Sequence, residues 1–471
     1  MLDAAPPYHA PSESPGVSLL GEVPQLVALA VPIVAGLAGS TVLSVIDSLM
    51  LGPLGEVSLA AASLTQSILV VFYAGLYGVV GPVGIFVGQA HGAGENLRIS
   101  GLLRHGLVIA FVSGLLGALA MAAFFPVLEF TGQPREVMIA MPAYWVTMSF
   151  LLLPFTLCMV VKLFLDAIGR PWVGAILILI PVVLNIPLNW LLIYGNLGFP
   201  RLGLLGAAVS SLSAVSAGFV LMLLYVRLAP SMGNFRSAAR LRSAGFSELM
   251  REGCPMAIQY LSEGGAIAVA GVLVGLLGST ALAANQIVFS VAVLVYMAPL
   301  GLSGAVSIRI AQSHGKGATN RLRSIGLAGI AVSTVWTLMF AILMVCWGEV
   351  IARAFVDDAS VIAAATAMFW VIGMMQIFDG LQSVSLGALR GLLDNRWPTC
   401  VSIFSNWLIA LPLSILFGFN LGYGAPGIWA GFGMGLAVAG GLFLWRFLSI
   451  TRHLGTCTHI DSPSPAGRIP H

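Results

Sequence analysis

Charge is the first scarcity. Only 8% of the 471 residues are Asp, Glu, Lys or Arg, against 58% hydrophobic residues and a mean hydropathy of +0.98. A water-soluble domain carries about 25% charged residues. A soluble core of this size would still need a charged coat, so most of this chain faces something other than water. The net charge is +3, a total that implies no nucleic-acid partner. Cysteine is scarce too: Cys158, Cys254, Cys346, Cys400 and Cys457 include no CxxC pair. That spacing gives no metal site and no disulfide framework, and the thiols are expected as small packing residues. No G-x-x-x-x-G-K-[ST] motif is present, since Gly317 stands where the hydroxyl after Lys316 should be. No soluble domain able to bind ATP is expected. The Pro-rich start, MLDAAPPYHAPSESPG, has no basic n-region before a short apolar stretch. No cleavable signal peptide is therefore expected, and the first apolar helix should do the targeting.

What the chain has is long apolar runs. A helix needs roughly 20 apolar residues to cross the hydrocarbon core. Twelve segments qualify, near 25–51, 58–89, 103–127, 138–167, 171–195, 203–229, 247–275, 280–311, 325–347, 359–388, 398–420 and 426–449. They are unbroken runs, not the ten-residue alternating segments of a barrel. The second, fourth, eighth and tenth are long enough to tilt or project beyond the bilayer. With the N-terminus placed inside, all of the 21 Lys and Arg except Arg135, Arg201 and Arg353 fall on the inner side. That bias obeys the positive-inside rule. One missed or invented helix would scramble it.

The two halves of the chain repeat. Pro32 aligns with Pro255, an offset of 223, and Tyr73 meets Tyr296 without a gap. At the same offset Gln89, His91, Gly92 and Gly94 meet Gln312, His314, Gly315 and Gly317. Each half then has six helices, and an even count gives both the same orientation. The expected fold class is an all-α integral membrane protein with twelve transmembrane helices in two pseudo-symmetric six-helix bundles. Its divisions are an N-terminal tail (1–22), an N-lobe (23–229), a linker (230–245), a C-lobe (246–450) and a C-terminal tail (451–471), whose last residues read as disordered. Two parallel six-helix lobes are a transporter design, because the cleft between them can open to either side.

The chemistry lies in the charges left inside the membrane. A mid-helix acid costs about 2.5–3.5 kcal/mol on insertion scales, so it is a functional hypothesis by default. Asp47, Glu263 and Asp379 stand out, in TVLSVIDSLMLG, AIQYLSEGGAIAVAG and GMMQIFDGLQSVSLGALRG. No Lys or Arg is expected at comparable depth. A buried, unpaired carboxylate takes a proton or binds a cation. The other reading is a neutral carboxyl hydrogen-bonded to nearby backbone. The acids do not repeat: at offset 223 Asp47 faces Ala270 and Glu263 faces Ser40. The charges were thus placed independently of the scaffold, as two unlike half-sites would be. Asn185 and Asn189 are four apart around Pro187, so they share a face. They fit either an ion site with Asp47 or interhelical hydrogen bonding. Lys162 and Asp166 read as a structural ion pair, Asp357 and Asp358 as a solvated helix cap, and His91 and His314 as turn residues.

The order Pro32, VIDSLMLGPLG, LAAASL, GQAHGAG, FLDAIGRP, LNIPLNW, AANQI, AVSIRIAQSHGKG and QIFDGLQSVSLGALRG resembles the multidrug and toxic compound extrusion (MATE) family, in its NorM-like bacterial branch. The resemblance covers roughly residues 22–450. It implies an antiporter of the bacterial inner membrane, both termini cytoplasmic, that exports organic cations in exchange for Na+ or H+. It implies that Asp47, Asn185 and Asn189 belong to an N-lobe cavity, and that Glu263 and Asp379 form the C-lobe cation site, holding Na+ if sodium is the coupling ion. Gln286, in AANQI, joins the two asparagines as a substrate-cavity candidate. The implied protein is not an enzyme. It has no cofactor beyond the coupling ion, no obligatory protein partner, and works as a monomer among membrane lipids. Some NorM-like members carry an aromatic hydroxyl four residues before the last acid. Here that position is Met375, a departure that bears on sodium specificity. The alternative within the same superfamily is a flippase for a lipid-linked precursor, whose cavity tends to be lined with Arg or Lys. A channel or a non-transporting scaffold is a third reading.

Overall fold

The computed structural model describes residues 19–128, 134–235 and 243–460, apart from the side chains of Ser40, Thr41, Ser44 and residues 455–460. Over these residues the chain is helical, with no strand. Hydrocarbon offers no partner for backbone amides, so spanning segments must satisfy their own. Twelve helices are long and apolar enough to cross a membrane. They are α1 Leu19–Leu51, α2 Glu56–Gly92, α3 Asn96–Leu128, α4 Pro142–Ala167, α5 Pro171–Tyr194 and α6 Leu204–Leu228. The second half gives α7 Ser243–Gly275, α8 Ser279–Gly315, α9 Thr319–Arg353, α10 Ala359–Gly391, α11 Arg396–Asn420 and α12 Gly424–Ile460.

The count agrees with the twelve segments expected from sequence, but the helices are less regular. In two of them the hydrogen-bond ladder is interrupted while the backbone stays right-handed helical. In α2 this falls at Gly81, where Pro82 supplies no N–H. In α4 it falls at Leu151, and a separate short helix, Arg135–Ala140, precedes it. In α11 the turns on either side of Leu411–Ile415 widen to the π form, and Pro412 sits in the short α-helical stretch between them. The chain ends also differ. α1 starts at Leu19, inside the expected tail, and α12 runs to Ile460, past the expected end of the C-lobe. Of the expected linker, Pro230–Phe235 form a 3-10 turn and α7 has begun by Ser243, while residues 236–242 lie outside the described residues. So do tail residues 1–18 and 461–471.

The two largest apolar clusters lie one in each half of the molecule. One is built around Trp145 and Phe164 within residues 51–249. The other surrounds Phe369 and Trp429 within residues 266–436. Lipid tails are as apolar as Leu, so close packing rather than water exclusion holds such helices together. Of the cysteines, only Cys158 has the expected packed position. Cys254, Cys346 and Cys400 are exposed free thiols, and the Cys457 side chain is outside the described residues.

The first helix of each half crosses to the other lobe. Leu26, Leu29 and Ile33 of α1 pack in one cluster with Ala305, Ile325 and Phe447 of the C-lobe. Leu249 of α7 belongs to the N-lobe core. The repeat also explains GQAHGAG and AQSHGKG. A Cβ at Gly92 would overlap the Gln312 carbonyl, and one at Gly315 would overlap that of Gln89. The two motifs therefore meet each other backbone to backbone, and only glycine permits the approach. Further links lie at the same end of the bundle. Arg98 pairs with Glu248 at 3.1 Å, and Gln312 donates to the Ala167 carbonyl at 2.8 Å. Glu22, fully buried on α1, accepts from Arg309 of α8 at 3.0 Å and from Arg321 of α9 at 2.5 Å. These hydrogen bonds and ion pairs thus join the lobes at the face where α1 begins.

Candidate functional site

Asp47 lies late in α1, on the half that packs against α5 of its own lobe. Its two carboxylate oxygens are separately held. Asn189 Nδ2 donates to Oδ1 at 2.7 Å and Ser211 Oγ donates to Oδ2 at 3.1 Å. Asn189 Nδ2 also reaches Asn185 Oδ1 at 2.7 Å, and Asn185 Nδ2 donates to Ser211 Oγ at 3.0 Å. The four residues form one closed network from α1, α5 and α6. The shared face expected for the two asparagines is therefore turned towards Asp47, and both are fully buried. Asn189 Oδ1 is buried with no partner, an oxygen left available inside the cluster. Tyr73 of α2 and Tyr144 of α4 stand within electrostatic reach of Asp47.

Sequence reasoning missed Ser211. It lies on α6 in AAVSSLSAV, where small polar residues are common and periodicity does not single one out.

In the C-lobe, Glu263 on α7 and Asp379 on α10 are close enough to repel each other. Tyr296 of α8 stands within electrostatic reach of both and hydrogen-bonds Ser383. The hydroxyl lacking at Met375 is thus supplied from another helix, while Met375 itself packs into the C-lobe core. A signal for this existed. Tyr296 is the repeat partner of Tyr73, and each of the two stands beside its own lobe's acid. The acids do not repeat, but the tyrosines beside them do.

The expectation that no basic residue shares the acids' depth fails at Arg390. This residue ends α10, yet its side chain is buried, and its charge acts on Glu263. Nη1 donates to the Tyr260 hydroxyl at 2.7 Å and Nη2 to Gln259 Oε1 at 3.3 Å. A long side chain can carry its head well away from its own Cα, which a count of residues from the helix end does not register. Lys162 is also buried, bonded to Asp166 at 2.6 Å as the spacing implied.

Gln286 is exposed on α8, and its backbone carbonyl accepts from the Ser290 hydroxyl at 2.7 Å. Its neighbour Asn285 instead accepts from the Trp429 indole at 2.8 Å. Asp358 caps α10. Its Oδ1 accepts from the Ser360 hydroxyl at 2.6 Å, from the Ser360 N–H at 2.8 Å and from the Val361 N–H at 3.2 Å. The Ser360 hydroxyl first, then these N–H groups, hold its carboxyl below the usual carboxylate range. Among the described residues no three His, Cys, Asp or Glu converge as a metal-ligand group. An ion at the C-lobe pair would need hydroxyl or backbone oxygens beside the two carboxylates, and Tyr296 and Ser383 are the hydroxyls at hand.

Chemically, each lobe offers an acidic cluster within its helices with neutral oxygen donors and acceptors beside it, suited to a small cation, a proton or an organic cation. The MatE family model matches residues 32–191 and 255–416, two blocks that start 223 residues apart, the offset of the internal repeat. A probable multidrug resistance protein NorM of Synechococcus sp. is 30% identical over 444 residues, covering 93% of this chain and 96% of its own. Another from Pseudomonas putida is 32% identical over 454 residues, with 93% and 97% covered. Among solved structures, a MATE transporter in the bent conformation superposes with a TM-score of 0.85 at 17% identity, covering 94% of this chain and 98% of that one. The eukaryotic MATE transporter AtDTX14 gives 0.83 at 21%, with 93% and 99% covered.

Proposed function

Because the chain belongs to the MatE family, whose model matches more than half of its residues, we propose that it is a multidrug secondary antiporter, exporting organic cations in exchange for inward Na+ or H+. One observation carries the reading. Each lobe holds an acidic cluster inside membrane-spanning helices, Asp47 in one and Glu263 with Asp379 in the other, and the named inter-lobe bonds lie at a single face.

With the N-terminus inside, as the loop charges favour, the joined face is cytoplasmic and both clusters are reached from outside. An inward-moving cation neutralises the Glu263 and Asp379 pair. Charge neutralisation weakens the hold of the same lobe on an organic cation, which leaves to the outside. With its acids neutralised the cleft closes, the inner face opens, and the coupling ion is released to the cytoplasm. The potential contributes about 2.3 kcal/mol per charge per 100 mV. Asp47, with its ring of neutral donors, governs the N-lobe half of the cycle. The protein acts as a single chain among the lipids of a bacterial inner membrane, with both termini cytoplasmic. It performs no catalysis and needs no cofactor.

Buried Arg390 and Lys162 narrow the grounds for setting the flippase reading aside. Their heads are already engaged, Lys162 by Asp166 and Arg390 by Tyr260 and Gln259. The relatives named for multidrug resistance favour efflux.

The test is dye efflux from reconstituted vesicles under separately imposed sodium and proton gradients. Efflux should follow one gradient without ATP, and Asp379→Asn or Glu263→Gln should abolish it while the protein stays folded. Efflux that needs ATP with both gradients collapsed, or both variants exporting normally, would overturn the reading.

A further inference from the structure

Arg390 is not used by the cycle described above, and its surroundings are unusual for a buried cation. Its Nη atoms are bonded to the Tyr260 hydroxyl and the Gln259 carbonyl oxygen, and the guanidinium lies 4.6 Å from the centre of the Tyr260 ring. Gln259 is fixed in turn, donating to Ser402 Oγ at 2.9 Å. Arg390 Nε is buried with no partner. Both of these hydrogen-bond partners are neutral. A buried charge left uncompensated is strongly unfavourable. The acid that feels Arg390 is Glu263, one helical turn beyond Gln259 and Tyr260 on α7. Glu263 in turn feels Asp379. The two carboxylates and one guanidinium therefore form a charge group of formal net charge −1. In the N-lobe, Asp47 is held by the neutral Asn189 and Ser211, which is again −1. The acids do not obey the sequence repeat, yet the two lobes carry equal charge, and Arg390 makes them equal.

We infer that Arg390 is the built-in counter-charge of the C-lobe acid pair, holding the site to one monovalent cation per cycle. Two unopposed carboxylates would attract a second monovalent cation or a divalent one. Either would be bound too tightly to leave on the inner side. Arg390 does this without ligating the ion, so it is a positioning and charge-setting residue. The guanidinium is suited to the task because its planar fork is held by two neutral partners while its charge acts on Glu263.

The inference rests on reading Glu263 and Asp379 as the cation site, and the experiment separates the two. Binding of sodium by calorimetry, and proton uptake in unbuffered solution, are measured on the purified full-length chain. Asp379→Asn should bind neither ion; if it binds as the wild type does, the cation-site reading itself fails. Arg390→Gln should bind the coupling ion about tenfold more tightly or better and take up a second equivalent, whereas Arg390→Lys should keep wild-type stoichiometry. A charge-restoring pair guards against misfolding of a single variant. Glu263→Gln leaves a net charge of zero and should lose binding. Glu263→Gln with Arg390→Gln returns the site to −1 and should recover one cation. If the double variant binds no better than Glu263→Gln, or Arg390→Gln keeps wild-type affinity and stoichiometry, Arg390 does not set the charge.

Discussion

The Ser211 hydroxyl donates to Asp47 at 3.1 Å while accepting from Asn185 at 3.0 Å. One small side chain therefore fixes both an acid and an amide. Ser211→Ala removes a donor from Asp47 and leaves the buried Asn185 amide short of an acceptor, at about 1–3 kcal/mol. Dye efflux in vesicles should fall by roughly tenfold without being lost. Asp47→Asn should behave differently, abolishing turnover yet leaving cation binding at the C-lobe pair. Calorimetry beside efflux measures both. If Asp47→Asn loses ion binding as completely as Asp379→Asn does, the two lobes share one site. Asn185 and Asn189 were legible as a common face from their spacing. Ser211 was not, because its partner in the network is a residue 164 positions away.

Among the elements, α10 carries Asp379 near its middle and Arg390 near its end, with Asp358 capping its start. Asp358 closes that start by accepting from the Ser360 and Val361 N–H groups. These bonds hold its carboxyl below the usual range. A depressed carboxyl adds stability above its unfolded value, near pH 4, and that stability is lost as pH falls through the folded value. Asp358→Ala should lower the thermal midpoint slightly at pH 7, and the difference should shrink as the pH falls below about 4. Thermal unfolding in detergent at the two pH values checks this, and a difference independent of pH would remove the capping carboxylate as its cause. Cation binding should be unaffected, since the cap lies at the end of α10 away from Arg390.

The whole molecule is joined by pieces that the sequence assigned to separate lobes. α1 begins against the C-lobe, where Glu22 is buried between Arg309 and Arg321 and Arg309 also reaches Gln25. Breaking such a buried group costs about 3–5 kcal/mol, because the remaining charges lose their partner. That is enough to shift a two-state balance by more than a hundredfold. Glu22→Gln should thus depopulate the arrangement described here and favour its inverse. Gly92→Leu should act in the same direction, since its side chain would meet the Gln312 backbone. Spin labels on the connections near residues 53 and 277, at the opposite face, should report shorter distances in both variants. Unchanged distances would show that these contacts do not hold the face closed.

Hydropathy and loop charge were enough for twelve helices, and an offset of 223 was enough for two related halves, because both patterns repeat along the chain itself. The positions of the three acids inside apolar runs were equally legible, since charge within such a run is rare. The interruptions in α2 and α4 were less so, because a gap in the hydrogen-bond ladder inside a long apolar run leaves hydropathy unchanged. Three features were decided only in three dimensions. The hydroxyl beside the C-lobe acids comes from Tyr296 on α8, although a linear motif placed it at Met375. Arg390 looks like a loop cation by position, but its long side chain turns inward to Tyr260 and Gln259. The first helix of each half packs across onto the other lobe, which no boundary drawn along the sequence expresses. The physical reason is common to all three. Sequence pattern reports the surroundings of a backbone segment averaged over its length, whereas the reach of a side chain and the partner of a helix face are set by the helices that pack beside it.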